Sequence, residues 1–124
     1  MGVGTIVVAE DDADLRDLVE YTLESAGYDV EAFGAGDDCW DRLDGGEPPA
    51  LVVLDIGLPG MDGADVLERI RADDGLESVP VVLLSGRSRE SDTVAALDVE
   101  SDDYVKKPFS PDELRSRIGQ LLGS

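Results

Sequence analysis

The chain alternates five short apolar runs with stretches of helical periodicity, and this alternation limits the fold more than any other feature. A repeated strand–helix alternation is typical of a mostly parallel sheet with helices on both faces. The sequence therefore predicts a three-layer α/β domain. Helical spacing of apolar residues follows each run and is weakest over residues 92–99. The apolar runs lie at residues 5–9, 29–33, 51–54, 81–84 and 104–105.

The runs differ in their pattern, which predicts where each strand lies in the sheet. Residues 51–54 and 81–84 are apolar throughout, as expected of central strands that are covered on both faces. Residues 29–33 alternate between polar and apolar side chains, as an edge strand with one covered face does.

Capping residues predict two of the helix starts. Asp62 precedes a helical pattern and is predicted to be an N-cap. Ser110 is followed by Pro111 and, three residues after the cap, by Glu113, which is the pattern of a capping box.

The length of 124 residues suits one domain with a single core, so we expect residues 1–124 to form one domain. No apolar run approaches the roughly 20 residues of a membrane helix, and no signal peptide is recognisable, so a cytoplasmic location is predicted. The single cysteine, Cys39, cannot form an internal disulfide, and its apolar neighbours predict a buried thiol.

The formal net charge of -19 disfavours binding to nucleic acid or to anionic membranes. An acidic chain with only two lysines is typical of proteins from salt-loving organisms, in which high ionic strength screens the repulsion. The chain has no histidine, which excludes imidazole catalysis and a phosphohistidine on this chain.

Carboxylates follow two of the predicted strands. Glu10, Asp11 and Asp12 come directly after the first strand, and Asp55 comes directly after the third. Because parallel strands end at the same edge of a sheet, we expect these groups to lie close together. We interpret the other adjacent acidic pairs as solvated surface: Asp37-Asp38, Asp73-Asp74 and Asp102-Asp103.

Two further strand ends complete a chemical pattern. The fourth run ends in Ser85, and the fifth runs into Lys106-Lys107, the two lysines of the chain. Converging carboxylates with room for water suit Mg²⁺, and a lysine and a hydroxyl opposite the metal suit a phosphoryl group. Asp55 is then a candidate nucleophile that can form an acyl phosphate.

Four segments, in this order and spacing, resemble the receiver domain of two-component response regulators, and the resemblance covers nearly the whole chain. The segments are "IVVAEDD" (6–12), "VVLDIGLPGMDG" (52–63), "VVLLSG" (81–86) and "DDYVKKPF" (102–109). The resemblance implies a doubly wound, flavodoxin-like fold with a five-stranded parallel sheet in the order 2-1-3-4-5.

The resemblance also implies the roles of the site residues. Asp55 matches the phosphoacceptor, and Lys107 matches the lysine that contacts the phosphoryl group. Asp11 matches a direct Mg²⁺ ligand, Glu10 one that acts mainly through water, and Gly57 one that offers its backbone carbonyl.

Ser85 matches the switch hydroxyl of the family, and Tyr104 matches the aromatic residue that rotates on activation. A cis peptide bond between Lys107 and Pro108 is implied as well, and Asp12 would be the N-cap of the first helix and not a metal ligand. Where the family has Gly-Ala before "DDY", this chain has Glu100-Ser101, so the conformation before the fifth strand is left open.

The implied function is signalling and not enzymatic turnover. A sensor histidine kinase or a phosphotransfer protein would donate the phosphoryl group, and intrinsic self-phosphorylation and autodephosphorylation would be the only reactions. A downstream protein or a fused output domain would bind the face formed by residues 92–99, the fifth strand and the last helix. Direct nucleic-acid binding and membrane insertion are not expected.

Three alternatives stay open at this point. A haloacid-dehalogenase-like phosphatase also uses a strand-end aspartate and Mg²⁺, but it needs an acidic residue where this chain has Gly57. A flavodoxin-like cofactor binder needs a first loop that accepts phosphate, which Glu10 and Asp11 would repel. A non-phosphorylated receiver scaffold would be expected to lack one of the site residues.

Overall fold

The computed structural model describes residues 4–85 and 102–123, and it contains a five-stranded parallel sheet. The strands are β1 (Thr5–Ala9), β2 (Asp29–Phe33), β3 (Leu51–Asp55), β4 (Val81–Ser85) and β5 (Asp103–Lys106). The helices are α1 (Ala13–Ser25), α2 (Gly36–Leu43), α3 (Gly63–Ala72) and the C-terminal helix α4 (Pro111–Leu122). The sheet order is β2-β1-β3-β4-β5, so the doubly wound, flavodoxin-like fold is confirmed. The helix predicted over residues 92–99 lies outside the described residues.

Two apolar clusters cover the two faces of the sheet. On one face, alternate residues of β3 and β4 pack against α2 and α3, for example Leu54 against Leu67 and Ile70 in the same cluster. On the other face, α1 and α4 supply residues such as Leu23 and Ile118. Every residue of β3 is buried, which confirms that this strand is central.

The three predicted N-caps are confirmed. The carboxylate of Asp12 accepts hydrogen bonds from two backbone N–H groups of α1, and Asp62 accepts one from the N–H of Asp65. Ser110 Oγ accepts a hydrogen bond of 3.1 Å from the N–H of Glu113. The Glu113 carboxylate lies 3.5 Å from Arg117 Nε.

Two smaller predictions, one on a peptide bond and one on the cysteine, are also confirmed. The Lys107–Pro108 peptide bond is cis. Cys39 is fully buried, and this burial raises the pKa of its thiol to about 12. Within residues 4–85 and 102–123, no helix combines the length and the hydropathy that crossing a membrane requires.

The acidic pairs interpreted as solvated surface do lie at the surface, where every member is exposed or half-buried, but at least one member of each pair also makes a hydrogen bond. Asp102 Oδ2 accepts hydrogen bonds from the N–H of Val81 and from Arg71 Nη2, at 2.8 and 2.9 Å. These hydrogen bonds have a common cause: the short side chain of an aspartate near a loop can reach a backbone N–H group or an arginine of another element. The other partnered members are Asp37 with the N–H of Met61, Asp73 with the N–H of Gly75, and Asp103 with Arg117.

Candidate functional site

Three carboxylates meet at the carboxyl edge of the sheet. Glu10 directly follows β1, Asp55 is the last residue of β3, and Asp11 lies beside them. One oxygen atom from each residue lies within 4.8 Å of the other two. Glu10 is 0% exposed and Asp55 is 5% exposed, whereas Asp11 faces solvent. The parallel strands therefore bring together the carboxylates that the sequence places at their ends.

Lys107, just beyond β5, extends into this cluster. Its Nζ lies 2.8 Å from Glu10 Oε1 and donates a hydrogen bond of 3.2 Å to Asp55 Oδ1. The neighbouring Lys106 is exposed. The ammonium group thus contacts two of the three clustered carboxylates, and the four groups carry a net charge of -2 when all are ionised.

Burial controls the protonation of the site. Desolvation raises the pKa of Glu10 and of Asp55 above their ordinary values, and it outweighs the opposing effect of Lys107. The neighbouring Asp11 raises the pKa of Asp55 further. For Lys107, burial acts to lower the pKa, but the two carboxylates outweigh it and the pKa is raised. A cation placed among the carboxylates would relieve the penalty of burying their charges.

Three hydrogen bonds fix the position of Glu10. Its Oε2 accepts a hydrogen bond of 3.1 Å from the N–H of Asp12, and its own N–H donates to the carbonyl of Phe33 at 3.0 Å. Arg16 Nη1 donates to the Glu10 carbonyl at 3.0 Å. This role of Arg16 was not predicted from the sequence. A signal was present, because a cation near a helix N-terminus is unfavourable for the helix dipole and calls for another partner.

The backbone is closely packed where the turn after β3 begins. The N–H of Ile56 donates to the carbonyl of Leu84, and the N–H of Gly63 donates to the carbonyl of Ile56, both at 3.1 Å. A Cβ atom at residue 63 would collide with the backbone carbonyl of Asp55, so the start of α3 requires glycine there. The start of α3 thus packs against the backbone of Asp55, whereas Gly57 is exposed to solvent.

An open cleft of about 790 Å³ gives access to the carboxylates. The residues that line it include Asp55, Gly57 and Lys107 and the apolar residues Leu15 and Phe109. Oxygen donors in an open cleft suit a hard divalent cation that keeps part of its water shell. The donor set therefore fits Mg²⁺ at Glu10, Asp11 and Asp55.

The two proposed switch residues lie on β4, which pairs with the strand of Asp55, and on β5, which pairs with β4. In the register of the sheet, Asp55 pairs with Leu84, so Ser85 is the next residue along β4. Tyr104 lies on the edge strand β5, opposite Leu83, and is 41% exposed. The functional roles of Ser85 and Tyr104 stay predictions.

Comparison with known proteins identifies relatives of this site and fold. The family model described as "Response regulator receiver domain" matches residues 6–119. The chain is 38% identical over 117 residues to the phosphate regulon transcriptional regulatory protein PhoB of Rhizobium meliloti, covering 94% of this chain and 51% of that protein. It is 39% identical to the DNA-binding response regulator MtrA of Mycobacterium tuberculosis, covering 94% of this chain and 50% of that protein.

Solved structures give the same result. A putative response regulator from Chloroflexus aurantiacus superimposes with a TM-score of 0.87 at 27% identity, covering 98% of both chains. The signal receiver domain of a histidine kinase from Syntrophus aciditrophicus has a TM-score of 0.87 at 29% identity, covering 97% of this chain and 90% of that one. The chain spans about half the length of the curated relatives it matches. With the family model covering most of the sequence, this chain belongs to the response regulator receiver domains of two-component signalling.

Proposed function

We propose that Asp55 is the phosphoacceptor of this receiver domain. The observation that carries the proposal is the pairing of a buried carboxylate at the end of a strand with the Lys107 ammonium group, 3.2 Å away. A rigid strand fixes the position of the carboxylate, and the open cleft leaves its outer side accessible. The 124 residues contain no histidine, so the phosphoryl donor lies outside them.

The proposed step is a displacement at phosphorus. An oxygen atom of ionised Asp55 attacks the phosphorus atom, and a P–O bond to Asp55 forms. The bond from phosphorus to the donor breaks, to nitrogen in a phosphohistidine or to oxygen in acetyl phosphate, and its electron pair leaves with the donor. Lys107 offsets the negative charge of the incoming group and holds it beside Asp55.

Glu10 and Asp11, with Asp55 and the Gly57 carbonyl, would hold Mg²⁺. When bound, this cation neutralises charge on the phosphoryl oxygens. Burial raises the pKa of Glu10 and of Asp55, so their ionised forms are incompletely compensated in the metal-free site, and a bound cation would supply the missing compensation. Asp12 is not among the ligands, because its carboxylate caps α1.

Phosphorylation is proposed to act on the neighbouring strands. The Ser85 hydroxyl would bind one phosphoryl oxygen, and Tyr104 would then change rotamer. The exposed position of Tyr104 on an edge strand supports this, because its ring has room to move. The change would be a shift between existing states, driven by the different interaction of the phosphoryl group with each state. Mg²⁺ and beryllofluoride should therefore shift the amide signals of both residues.

The proposed donor is a sensor histidine kinase or a phosphotransfer protein, and the proposed receiver of the signal is a downstream protein or an output domain. We propose residues 1–124 as one receiver domain, located in the cytoplasm. The name of the relative MtrA includes DNA binding, but this chain matches only half of that protein, so we do not carry this activity over to it. The charge of -19 supports the view that this domain itself does not bind nucleic acid.

The phosphoacceptor proposal is tested with acetyl phosphate and Mg²⁺. Intact-mass analysis should find one added phosphoryl group on the wild-type protein, and none without Mg²⁺. Asp55→Asn should stay unlabelled, while Asp17→Asn, which removes an exposed carboxylate from α1, should be labelled like the wild type. Labelling of Asp55→Asn at the wild-type rate would show that another residue is the acceptor.

A further inference from the structure

The turn that follows Asp55 is attached to the start of α2 by reciprocal contacts. Asp37, in the first turn of α2, accepts a hydrogen bond from the N–H of Met61 through its Oδ1 atom. In the opposite direction, the N–H of Gly36 donates to the carbonyl of Pro59 at 3.4 Å. Each segment thus satisfies a backbone group of the other.

Glycine residues in both segments allow the turn and α2 to approach each other closely. A Cβ atom at residue 36 would collide with the carbonyl of Met61. Gly60 has a φ of 70°, a left-handed conformation that favours glycine, and a Cβ atom there would meet the Asp37 carboxylate. The residue preceding α2, Ala35, has no side chain that can cap the helix, so the turn supplies this contact.

The position of this turn matters because Gly57 lies in it. The turn contains glycine at residues 57 and 60, and glycine is the residue with the greatest backbone freedom. Contacts from outside the turn therefore restrict where its carbonyl groups lie. The attachment to α2 is made at Pro59 and Met61, two and four residues beyond Gly57.

We propose that Asp37 is a positioning residue for the metal site. By binding the N–H of Met61, it holds the turn in the conformation that presents the Gly57 carbonyl to the cation. Asp37 touches neither the cation nor the phosphoryl group, and it acts only through the turn. This inference rests on the proposed function, in which Gly57 is a ligand of Mg²⁺.

Three variants separate the hydrogen bond from the charge. Asp37→Ala removes both the acceptor and the charge, whereas Asp37→Asn keeps an acceptor oxygen and removes only the charge. Asp38→Ala removes the same charge one residue along the same helix, where the side chain is exposed. Circular dichroism should establish that each variant is folded.

The first readout is the Mg²⁺ dissociation constant, measured by titration of the amide signals of Asp55 and Gly57 at constant high ionic strength. We expect Asp37→Ala to weaken binding about tenfold, as loss of a residue that orients a metal ligand does. Asp37→Asn and Asp38→Ala should both stay close to the wild type. The second readout is amide hydrogen exchange of Met61 without metal, which should be faster in Asp37→Ala alone.

The possible results distinguish this inference from the proposed function. Wild-type protein that binds no Mg²⁺ would overturn the proposed function itself. Wild-type binding that Asp37→Ala leaves unchanged would overturn only the positioning role. Equal weakening in Asp38→Ala would show that charge, and not the hydrogen bond, is responsible, and failure of Asp37→Asn to restore binding would also refute the proposal.

Discussion

Asp55 should destabilise the metal-free protein, so Asp55→Asn should raise the free energy of unfolding. Asp55 is 5% exposed, and its carboxylate, Glu10 and Asp11 offer oxygen atoms within 4.8 Å of one another. At an effective dielectric constant of about 20, each of these two neighbours repels Asp55 by about 3–4 kcal/mol. Lys107, at 3.2 Å, attracts it by about 5 kcal/mol on the same scale. The net repulsion of about 2 kcal/mol is lost in the neutral asparagine.

The sign of the pH dependence follows from the raised pKa of Asp55. Burial, aided by Asp11, raises this pKa above its ordinary value of 3.8, so the folded state binds the proton more tightly than the unfolded state. The stability contributed by this group is complete below pH 3.8 and is lost as the pH rises through the raised pKa. The advantage of Asp55→Asn should therefore be small in acid and largest at neutral pH.

Thermal and urea unfolding with a chelator, at constant ionic strength, measures the effect. For a domain of this size, 2 kcal/mol corresponds to an increase of about 8 °C in Tm. Asp17→Asn, an exposed change of the same charge, is the control and should leave Tm near the wild-type value. Mg²⁺ should reduce the difference in Tm between Asp55→Asn and the wild type, because it binds the wild-type site and stabilises that folded state. An Asp55→Asn protein that is no more stable than the wild type at neutral pH would refute the electrostatic reasoning.

Three further predictions concern other charged residues. Lys107→Met should lower the free energy of unfolding by about 3 kcal/mol in urea titrations, because it leaves buried carboxylates without a counter-charge. Asp102→Ala should lower the free energy of unfolding by about 1–3 kcal/mol in the same assay, because it removes the acceptor for the first N–H of β4 and for an arginine of α3. The exposed control Asp74→Ala should lower it by less than about 0.5 kcal/mol. Asp11→Ala should abolish most of the stabilisation by Mg²⁺, whereas Asp12→Ala should keep it and lose a cap worth about 1 kcal/mol; equal loss in both variants would contradict the ligand assignment.

The fold could be predicted well from the sequence because its strong signals are local. The fully apolar segments at β3 and β4 indicated central strands, and the caps at Asp12, Asp62 and Ser110 indicated where helices begin. The edge strand β5 was predicted only at residues 104–105, but it extends over Asp103–Lys106. Its polar ends are half-buried or exposed, so hydrophobicity did not mark them, and pairing with β4 determines its length.

The candidate site was predictable only in part, since its supporting contacts join elements that are distant in sequence. Strand-end placement identified Glu10 and Asp55, because a parallel sheet brings such residues to one edge. It could not identify Arg16, whose target is a backbone carbonyl, or Asp37, whose partner lies 24 residues away. No local pattern distinguishes Asp37 from its neighbour Asp38, and only the packing of α2 against the turn separates them.

Salt screens the acidic surface of the chain and the charge cluster at its site to different extents. Most of the acidic side chains lie at the surface, where a Debye length of about 3 Å at 1 M salt screens their mutual repulsion. Glu10 and Asp55 are buried, and mobile ions screen charges within such a cluster far less. Monovalent salt can therefore stabilise the acidic surface without relieving the site. Lys107 offsets one of the three site charges, and a divalent cation has the charge that balances the other two.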